Sequence, residues 1–248
     1  MNRIEQIKLS VVIPVYNERR TIEELLSQVL SNTIEKEIVI VDDCSSDGTR
    51  EFLQQLEQSK DSSLLEKYVQ ANRLHVIFQP KNYGKGAALR EGFRVARGEL
   101  ILVQDADLEY DPRDYYKLLE PIEMGVADVV YGSRFLGGGP HRVLLFWHSV
   151  GNWCLTTLSN MLTNLNLTDV WTGYKVFKRE VIEGIQLKEN RFGFEAEVTA
   201  KVARAKCRIY EVPISYFGRD YDEGKKIGWK DAVWGIWCTL KFNLFPNS

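Results

Sequence analysis

Short apolar segments alternate with amphipathic ones along the first half of the chain. Apolar, β-branched runs predict buried strands, and apolar residues that recur at three- and four-residue intervals predict helices. The predicted strands are 9–15, 37–41, 74–78, 100–103 and 128–131, and the predicted helices are 21–30, 48–56, 87–96 and 115–122. This alternation indicates a doubly wound parallel α/β sheet, in which ligands bind at the carboxyl ends of the strands.

Helical patterns dominate the second half, which carries all six tryptophans. A glycine-rich break at 137–140 separates it from the first half. Helices are predicted at 149–165, 194–205 and 229–242, and one strand at 208–212. We therefore divide the chain into residues 1–135 and residues 136–248, as two halves of one continuous domain.

The composition is that of an ordinary globular protein. The 248 residues are 44% hydrophobic and 27% charged, with a formal net charge of −2, which argues against general nucleic-acid binding. The cysteines and histidines have no metal-ligand spacing and suggest no disulfide framework. No secretory signal is visible, and no run reaches the roughly 18 apolar residues that span a bilayer. We expect a cytoplasmic protein, either soluble or peripheral on the membrane.

Paired carboxylates follow the fourth predicted strand. Asp105 and Asp107 stand two residues apart directly after the apolar run 101–103, so in an extended chain their side chains point to the same side. Glu109 follows two residues later. Carboxylates of this kind bind hard divalent cations together with substrate phosphates. The pattern therefore predicts a metal site at these three residues or, alternatively, a solvated acidic turn.

Polar motifs also follow the first and second predicted strands. Residues 14–18 read Pro-Val-Tyr-Asn-Glu and end the first strand. Asp42 and Asp43 end the second strand, and as paired carboxylates they could hydrogen-bond a base or a ribose. Plain loop polarity is the alternative for this pair, and Asp47 is expected to cap the following helix.

The third predicted strand leads into a glycine-containing motif at 82–86, Asn-Tyr-Gly-Lys-Gly. It matches neither the phosphate-binding P-loop nor the dinucleotide fingerprint, because the required glycine and Lys-Ser/Thr spacings are missing. Glycines that open a helix beside Lys85 would still allow an anionic ligand to come close.

These four motifs, in this order and spacing, resemble the family 2 glycosyltransferases of the GT-A fold, over residues 9–135. Later segments are similar to the dolichol-phosphate-mannose synthase branch: 132–135, 169–175, 211–214, Arg219 and 224–226. The resemblance implies an α/β, Rossmann-like doubly wound mixed sheet with helices on both faces and a helical C-terminal extension. Residues 1–135 would then bind a nucleotide sugar, and residues 136–248 would bind the acceptor and contribute an amphipathic helix.

The resemblance implies an inverting, metal-dependent transfer of a hexose. The donor would be a nucleotide diphosphate sugar of the GDP-mannose or UDP-glucose type, and the acceptor a dolichyl or undecaprenyl phosphate. Asp107 and Arg219 are the candidate catalytic residues. Mg²⁺ or Mn²⁺ at Asp105, Asp107 and Glu109 would stabilise the leaving diphosphate. The candidate substrate-binding residues are Pro14, Tyr16, Glu18, Asp42, Asp43, Lys85, Asp105, Arg134, Lys225 and Lys226.

The acceptor decides which further groups are needed. A phosphate is already an anion at neutral pH and needs cations rather than a base. The candidate cations are Arg134, Arg219, Lys225 and Lys226, with a solvated basic face as the alternative. A hydroxyl acceptor would need a base, for which Glu195 and Glu197 are candidates; otherwise they only favour a helix N-terminus.

Two positions depart from the branch. Glu109 stands where glutamine is usual, and 224–226 reads Gly-Lys-Lys where a serine before lysine is common. Three other functions stay open: a transferase acting on a saccharide or glycolipid hydroxyl, a sugar nucleotidyltransferase, and a non-catalytic sugar-nucleotide or membrane-surface binding module.

Apolar residues recur at helical spacing near the C-terminus. They are Trp229, Val233, Ile236, Trp237 and Leu240, and they predict one apolar helix face. This face would contact lipid headgroups, a membrane-bound partner protein, or the protein's own core. The segment 143–153, with two tryptophans, is a second candidate for a membrane-surface contact.

Overall fold

The computed structural model describes residues 8–58, 73–137, 142, 146–218 and 229–245. In these residues the chain forms seven strands and eight α-helices. The strands are β1 Leu9–Val15, β2 Lys36–Asp42, β3 Leu74–Phe78, β4 Leu100–Val103, β5 Val129–Ser133, β6 Lys175–Lys178 and β7 Ile209–Pro213. The helices are α1 Ile22–Ser31, α2 Thr49–Gln58, α3 Lys85–Val95, α4 Tyr115–Glu123, α5 Phe146–Thr163, α6 Arg179–Gly184, α7 Phe194–Arg204 and α8 Trp229–Leu244.

The strands form one mixed sheet in the order β3-β2-β1-β4-β6-β5-β7. Parallel pairing joins β1 to β2 and β4, β2 to β3, and β5 to β7. Only β6 runs antiparallel, between β4 and β5. The carboxyl ends of β1 to β4 therefore lie at one edge of the sheet, where ligands of α/β proteins bind.

Each face of the sheet is covered by helices. Val11 and Ile13 of β1 pack with α1, α2 and α4, whereas Val12 packs with α3 and α7 on the other face. All three side chains are fully buried, which explains the continuous apolar run in a strand that is buried on both sides.

The predicted elements that fall on described residues are all found, with ends displaced by at most three residues. The alternation of strands and helices predicted a parallel sheet, which is wrong because β6 is antiparallel. The mixed sheet that the family resemblance implied is confirmed. Neither β6 nor α6 was predicted. β6 has only two apolar residues between two lysines, too few to establish a period. Because β6 lies between β4 and β5, the two predicted halves share one sheet.

The C-terminal helix packs through a different face from the predicted apolar stripe. Cys238 and Phe242 are buried against α7, whereas Val233, Ile236 and Trp237 are exposed. These three residues of the stripe therefore do not pack on the protein's own core, whereas Leu240 is half-buried. No helix within the described ranges is long and apolar enough to cross a membrane.

Gly92 on α3 tests the packing of this helix on the sheet, because an added methyl group would overlap Val12 of β1. We expect Gly92→Ala to lower the free energy of unfolding by about 1–3 kcal/mol, the usual cost of overpacking. Gly151 on α5 is the matched control, since no described atom lies within 4 Å of an added Cβ. Gly151→Ala should stabilise the protein by about 0.5–1 kcal/mol.

Urea denaturation followed by circular dichroism measures both changes. Equal free energies of unfolding for the two alanine variants would contradict the close approach of α3 to β1.

Candidate functional site

Hydrogen bonds join the loops that follow β1 and β2. The Asn17 amide donates to Ser45 Oγ at 2.9 Å, and the Ser46 amide donates to Asn17 Oδ1 at 2.8 Å. The Glu18 amide donates to Thr49 Oγ1 at 3.0 Å. Asn17 adopts a left-handed backbone conformation (φ 55°), which turns the chain sharply out of the strand. The first two predicted motifs therefore form a single surface.

The candidate residues of the first motif differ in exposure. Tyr16 is exposed at this edge, while Pro14 and Glu18 are half-buried. The Glu18 carboxylate accepts a hydrogen bond from Thr21 Oγ1 at 3.0 Å. Of the three, Tyr16 has the most surface to offer a planar base.

Asp42 and Asp43 hold loops together. The Asp42 carboxylate is fully buried, and Arg50 Nε donates to it at 2.7 Å. Asp43 accepts hydrogen bonds from the amides of Tyr83 and Gly84 at 2.7 and 2.8 Å. Burial raises the pKa of Asp43 in spite of these bonds. A direct contact of Asp42 with a base or ribose is not supported, since its carboxylate is enclosed and already paired.

Lys85 joins the third motif to the acidic motif and to the second half of the chain. Its Nζ lies 2.8 Å from Asp105 Oδ1 and 3.1 Å from Glu195 Oε1. Burial by itself lowers the pKa of Lys85, but the two carboxylates outweigh it and raise the pKa. Lys85 is therefore a permanent cation at the N-terminus of α3, where the helix dipole adds further positive potential.

Gly173 packs directly against the acidic motif. Any side chain at this position would overlap the Asp105 carboxylate, so glycine is the residue that allows the approach. The Gly173 amide donates to Tyr110 OH at 2.8 Å. Beneath them, the hydroxyls of Tyr115 and Tyr174 both donate to Gln104 Oε1, at 2.8 and 2.7 Å. A buried polar network therefore fixes the position of the acidic motif.

The three predicted metal ligands do not form a preassembled cluster. Asp107 Oδ1 accepts from the Glu109 amide at 3.3 Å, and Tyr216 OH donates to Glu109 Oε2 at 2.9 Å. Across the described part of the chain, no three acidic, histidine or cysteine side chains converge as a metal site. Asp105 and Asp107 alone still fit Mg²⁺ or Mn²⁺, because such ions take one or two carboxylates and complete their shell with substrate phosphates and water.

Arg134 forms a bidentate ion pair with Asp169. Its Nε and Nη2 donate to the two carboxylate oxygens at 2.6 and 2.8 Å, and Asp169 is fully buried. The guanidinium also lies 5.1 Å from the ring centre of Tyr216, whose hydroxyl donates to Glu109. Burial lowers the pKa of Arg134, but the Asp169 carboxylate more than compensates and raises it. This predicted acceptor cation therefore already has a counter-ion.

The structure separates Glu195 from Glu197. Glu195 faces Lys85, and within the described residues its Oε2 is buried without a hydrogen-bond partner. Glu197 is fully buried, accepts from the amides of Lys188 and Glu189, and pairs with Lys201 at 2.5 Å. Of the two candidate bases, Glu195 alone belongs to the site.

Lys175 is a neighbour of the site that the sequence did not single out. It is fully buried on β6, and its Nζ donates to the Thr172 carbonyl. Burial lowers its pKa to about 8. Its position in the 169–175 motif is the sequence feature that could have identified it as a site residue. The predicted cations Arg219, Lys225 and Lys226 lie outside the described residues.

Comparison with known proteins identifies the family to which the sequence is similar. The family model "Glycosyl transferase family 2" matches residues 10–186. An undecaprenyl-phosphate mannosyltransferase from Micrococcus luteus is 30% identical over 231 residues, covering 90% of this chain and 88% of that protein. A polyprenol monophosphomannose synthase from Mycolicibacterium smegmatis is 30% identical over 239 residues, covering 91% of this chain and 86% of that protein.

A solved structure supports the fold. Glucosyl-3-phosphoglycerate synthase from Mycobacterium tuberculosis, crystallised with Mn²⁺, uridine diphosphate and phosphoglyceric acid, superposes with a TM-score of 0.69. The identity is 19%, and the match covers 97% of this chain and 80% of that chain. The expected GT-A fold is thereby confirmed.

The two glutamates of α7 should respond differently to amidation. Glu197→Gln removes a charge that holds two amides and Lys201, so we expect the free energy of unfolding to fall by about 1–3 kcal/mol. Glu195→Gln should lower the free energy of unfolding by less. Lys85 still has Asp105 as an ion-pair partner in this variant, and Oε2 of Glu195 makes no hydrogen bond that the variant could lose. Thermal and urea denaturation measure which variant is less stable. A larger loss of stability for Glu195→Gln would contradict the assignment of Glu197 to structure and of Glu195 to the site.

Proposed function

The chain belongs to glycosyl transferase family 2, and we propose that it transfers a hexose from a nucleotide diphosphate sugar to a polyprenyl phosphate. The observation that carries the proposal is the ion pair between Lys85 and Asp105, the first carboxylate of the acidic motif, at the carboxyl edge of the sheet. The acceptor class is supported by the relatives, whose names specify undecaprenyl phosphate and polyprenol. A membrane surface is then where the reaction takes place, because the acceptor keeps its hydrocarbon chain in the bilayer.

The donor side of the site is built to receive a diphosphate. Asp105 and Asp107 would hold Mg²⁺ or Mn²⁺, which supplies positive charge that stabilises the leaving group. Lys85 fixes the Asp105 carboxylate and adds a permanent positive charge at the start of α3. Gly173 and Tyr110 prevent Asp105 from moving away from this position.

The acceptor side needs an anion site and no base. An oxygen of the polyprenyl phosphate attacks the anomeric carbon, the bond to the diphosphate oxygen breaks, and the nucleoside diphosphate leaves with the electron pair. The configuration at the anomeric carbon inverts. Arg134, held by Asp169 and stacked on Tyr216, is the candidate cation for this phosphate among the described residues. Arg219, Lys225 and Lys226 stay as sequence-based candidates for the same phosphate.

The donor sugar is proposed as mannose with a guanosine nucleotide, with glucose and a uridine nucleotide as the alternative. Mannose is favoured by the two relatives' names. The structural neighbour was crystallised with uridine diphosphate, but at 19% identity its likeness supports the fold and not the choice of donor. Screening both donors against undecaprenyl phosphate, with product mass as the readout, separates them.

A hydroxyl acceptor is the second candidate function, and Glu195 favours it. Its unpartnered carboxylate oxygen is the kind of group that takes a proton from a hydroxyl. With a hydroxyl acceptor, Glu195→Gln should abolish transfer. With a phosphate acceptor, the same variant should retain substantial turnover. Parallel assays on undecaprenyl phosphate and on a lipid-linked glycan decide between the two.

Asp107→Asn tests the metal-binding role. We expect transfer to fall about 10²-fold or more, by analogy with the loss of one charge-stabilising group elsewhere, while the circular dichroism spectrum stays unchanged. Glu120→Gln, which removes an exposed carboxylate from α4, is the matched control and should keep normal turnover. Full activity of Asp107→Asn, or of the native protein in excess chelator, would rule out this assignment.

A further inference from the structure

Residues 167–170 form an irregular segment whose backbone is held by side chains. They lie outside any helix or strand, so their amides need partners from elsewhere in the fold. At one end, the Leu167 amide donates to Asn160 Oδ1 at 3.1 Å. At the other end, the Val170 amide donates to Thr156 Oγ1 at 3.4 Å. Both partners belong to α5, which therefore fixes the two ends of the segment.

Glu211 of β7 holds the middle of the same segment. The Thr168 amide donates to both of its carboxylate oxygens, at 3.0 and 2.9 Å, and the Asp169 amide donates to Oε1 at 2.9 Å. Among the described residues the Glu211 carboxylate forms no ion pair. Burial raises the pKa of Glu211, and the two amides act against this rise. One carboxylate thus orders two consecutive peptide groups.

The middle of the segment is joined to the residue that the proposed function assigns to the acceptor. The buried Asp169 carboxylate binds the Arg134 guanidinium at 2.6 and 2.8 Å and accepts from the Arg134 amide at 3.2 Å. Thr168 Oγ1 lies 2.6 Å from Ser133 Oγ, so the residue before Arg134 is tied to the same segment. A shift of the 168–169 backbone would therefore move the Asp169 carboxylate and the guanidinium with it.

We propose that Glu211 is a positioning residue for the acceptor phosphate: by holding the amides of Thr168 and Asp169 it fixes the carboxylate that orients Arg134. This inference rests on the proposed function, in which Arg134 receives the phosphate. A planar guanidinium recognises an anion in a defined orientation, and a small misplacement of a binding group weakens the interaction strongly. Glu211 acts through this segment and touches no substrate itself.

Steady-state kinetics with farnesyl phosphate, a short polyprenyl phosphate, test this role. In Glu211→Ala the KM for the acceptor should rise about tenfold or more, because the guanidinium loses its fixed orientation. The kcat and the KM for the donor should stay within about twofold, since a loss of ground-state binding alone raises KM. Glu211→Gln keeps one oxygen that can accept the amides, so its acceptor KM should lie between those of the native chain and Glu211→Ala.

Asp128→Asn is the matched control for a purely structural effect. Asp128 also accepts from a backbone amide, that of Arg208 at 3.0 Å, and it joins the same strands β5 and β7 at their opposite ends. This variant should lose stability and keep the native KM for the acceptor. An equal rise of that KM in Asp128→Asn and Glu211→Ala, or a native KM in Glu211→Ala, would overturn the proposal.

A double variant tests whether the effect passes through Arg134. When Glu211→Ala is added to Arg134→Ala, the kcat/KM for the acceptor should change by less than about twofold, because residues that act as one unit are not additive. A further tenfold loss in the double variant would show that Glu211 acts by another route and would overturn the proposal.

Hydrogen exchange, followed by mass spectrometry, separates this inference from the proposed function. The amides of Thr168 and Asp169 should exchange at least about tenfold faster in Glu211→Ala than in the native chain. Unchanged exchange would overturn the role of Glu211 whatever the acceptor is. Failure of the native chain to transfer to any polyprenyl phosphate would overturn the proposed function, and exchange would then still decide whether Glu211 orders the segment.

Discussion

The ion cluster around Lys85 is the interaction on which the rest of the site depends. A half-buried ammonium is costly unless it is paired, and here its partners come from distant parts of the chain: Asp105 after β4 and Glu195 on α7. The close approach of Gly84 and Gly86 to the backbone of residues 189–191 brings these elements within reach, because a side chain at either glycine would overlap that backbone. One cation thereby links the carboxyl edge of the sheet to the helices of the second half.

A buried hydrogen-bond network around Gln104 holds the acidic motif in place. Gln104 is fully buried, accepts from two tyrosine hydroxyls and donates to the Asp105 carbonyl at 3.0 Å. Such a fully satisfied network specifies one arrangement of the loop, since any alternative would leave a buried polar atom without a partner. Gly173 and Tyr110 close the same loop from the side. The fold itself therefore holds the Asp105 carboxylate in one position.

The helices α5 and α8 link the second half of the chain to the site. Asn152 of α5 accepts a hydrogen bond from Arg134 at 3.3 Å, and Gly235 of α8 lies against the Trp171 ring. The antiparallel strand β6 completes the link, because the segment that enters it carries Asp169, Trp171 and Gly173.

Local spacing was sufficient for much of the fold and for the choice of candidate site residues. Apolar runs and periodic helices located the strands and helices, because alternation and the 3.6-residue period depend on near neighbours alone. Asp105, Asp107 and Lys85 were identifiable because each follows a strand, and strand ends in such sheets meet at one edge. The strand β6 could not be predicted, because four residues with a lysine at each end show no recognisable hydrophobic period.

Only the tertiary structure assigned partners. It buried Asp42 against Arg50, paired Arg134 with Asp169, and gave Glu195 and Glu197 different roles on one helix. It also exposed Val233, Ile236 and Trp237 of the apolar stripe of α8. Residue spacing alone establishes which residues share a side of an element. What that side meets is set by long-range packing, which local spacing does not encode.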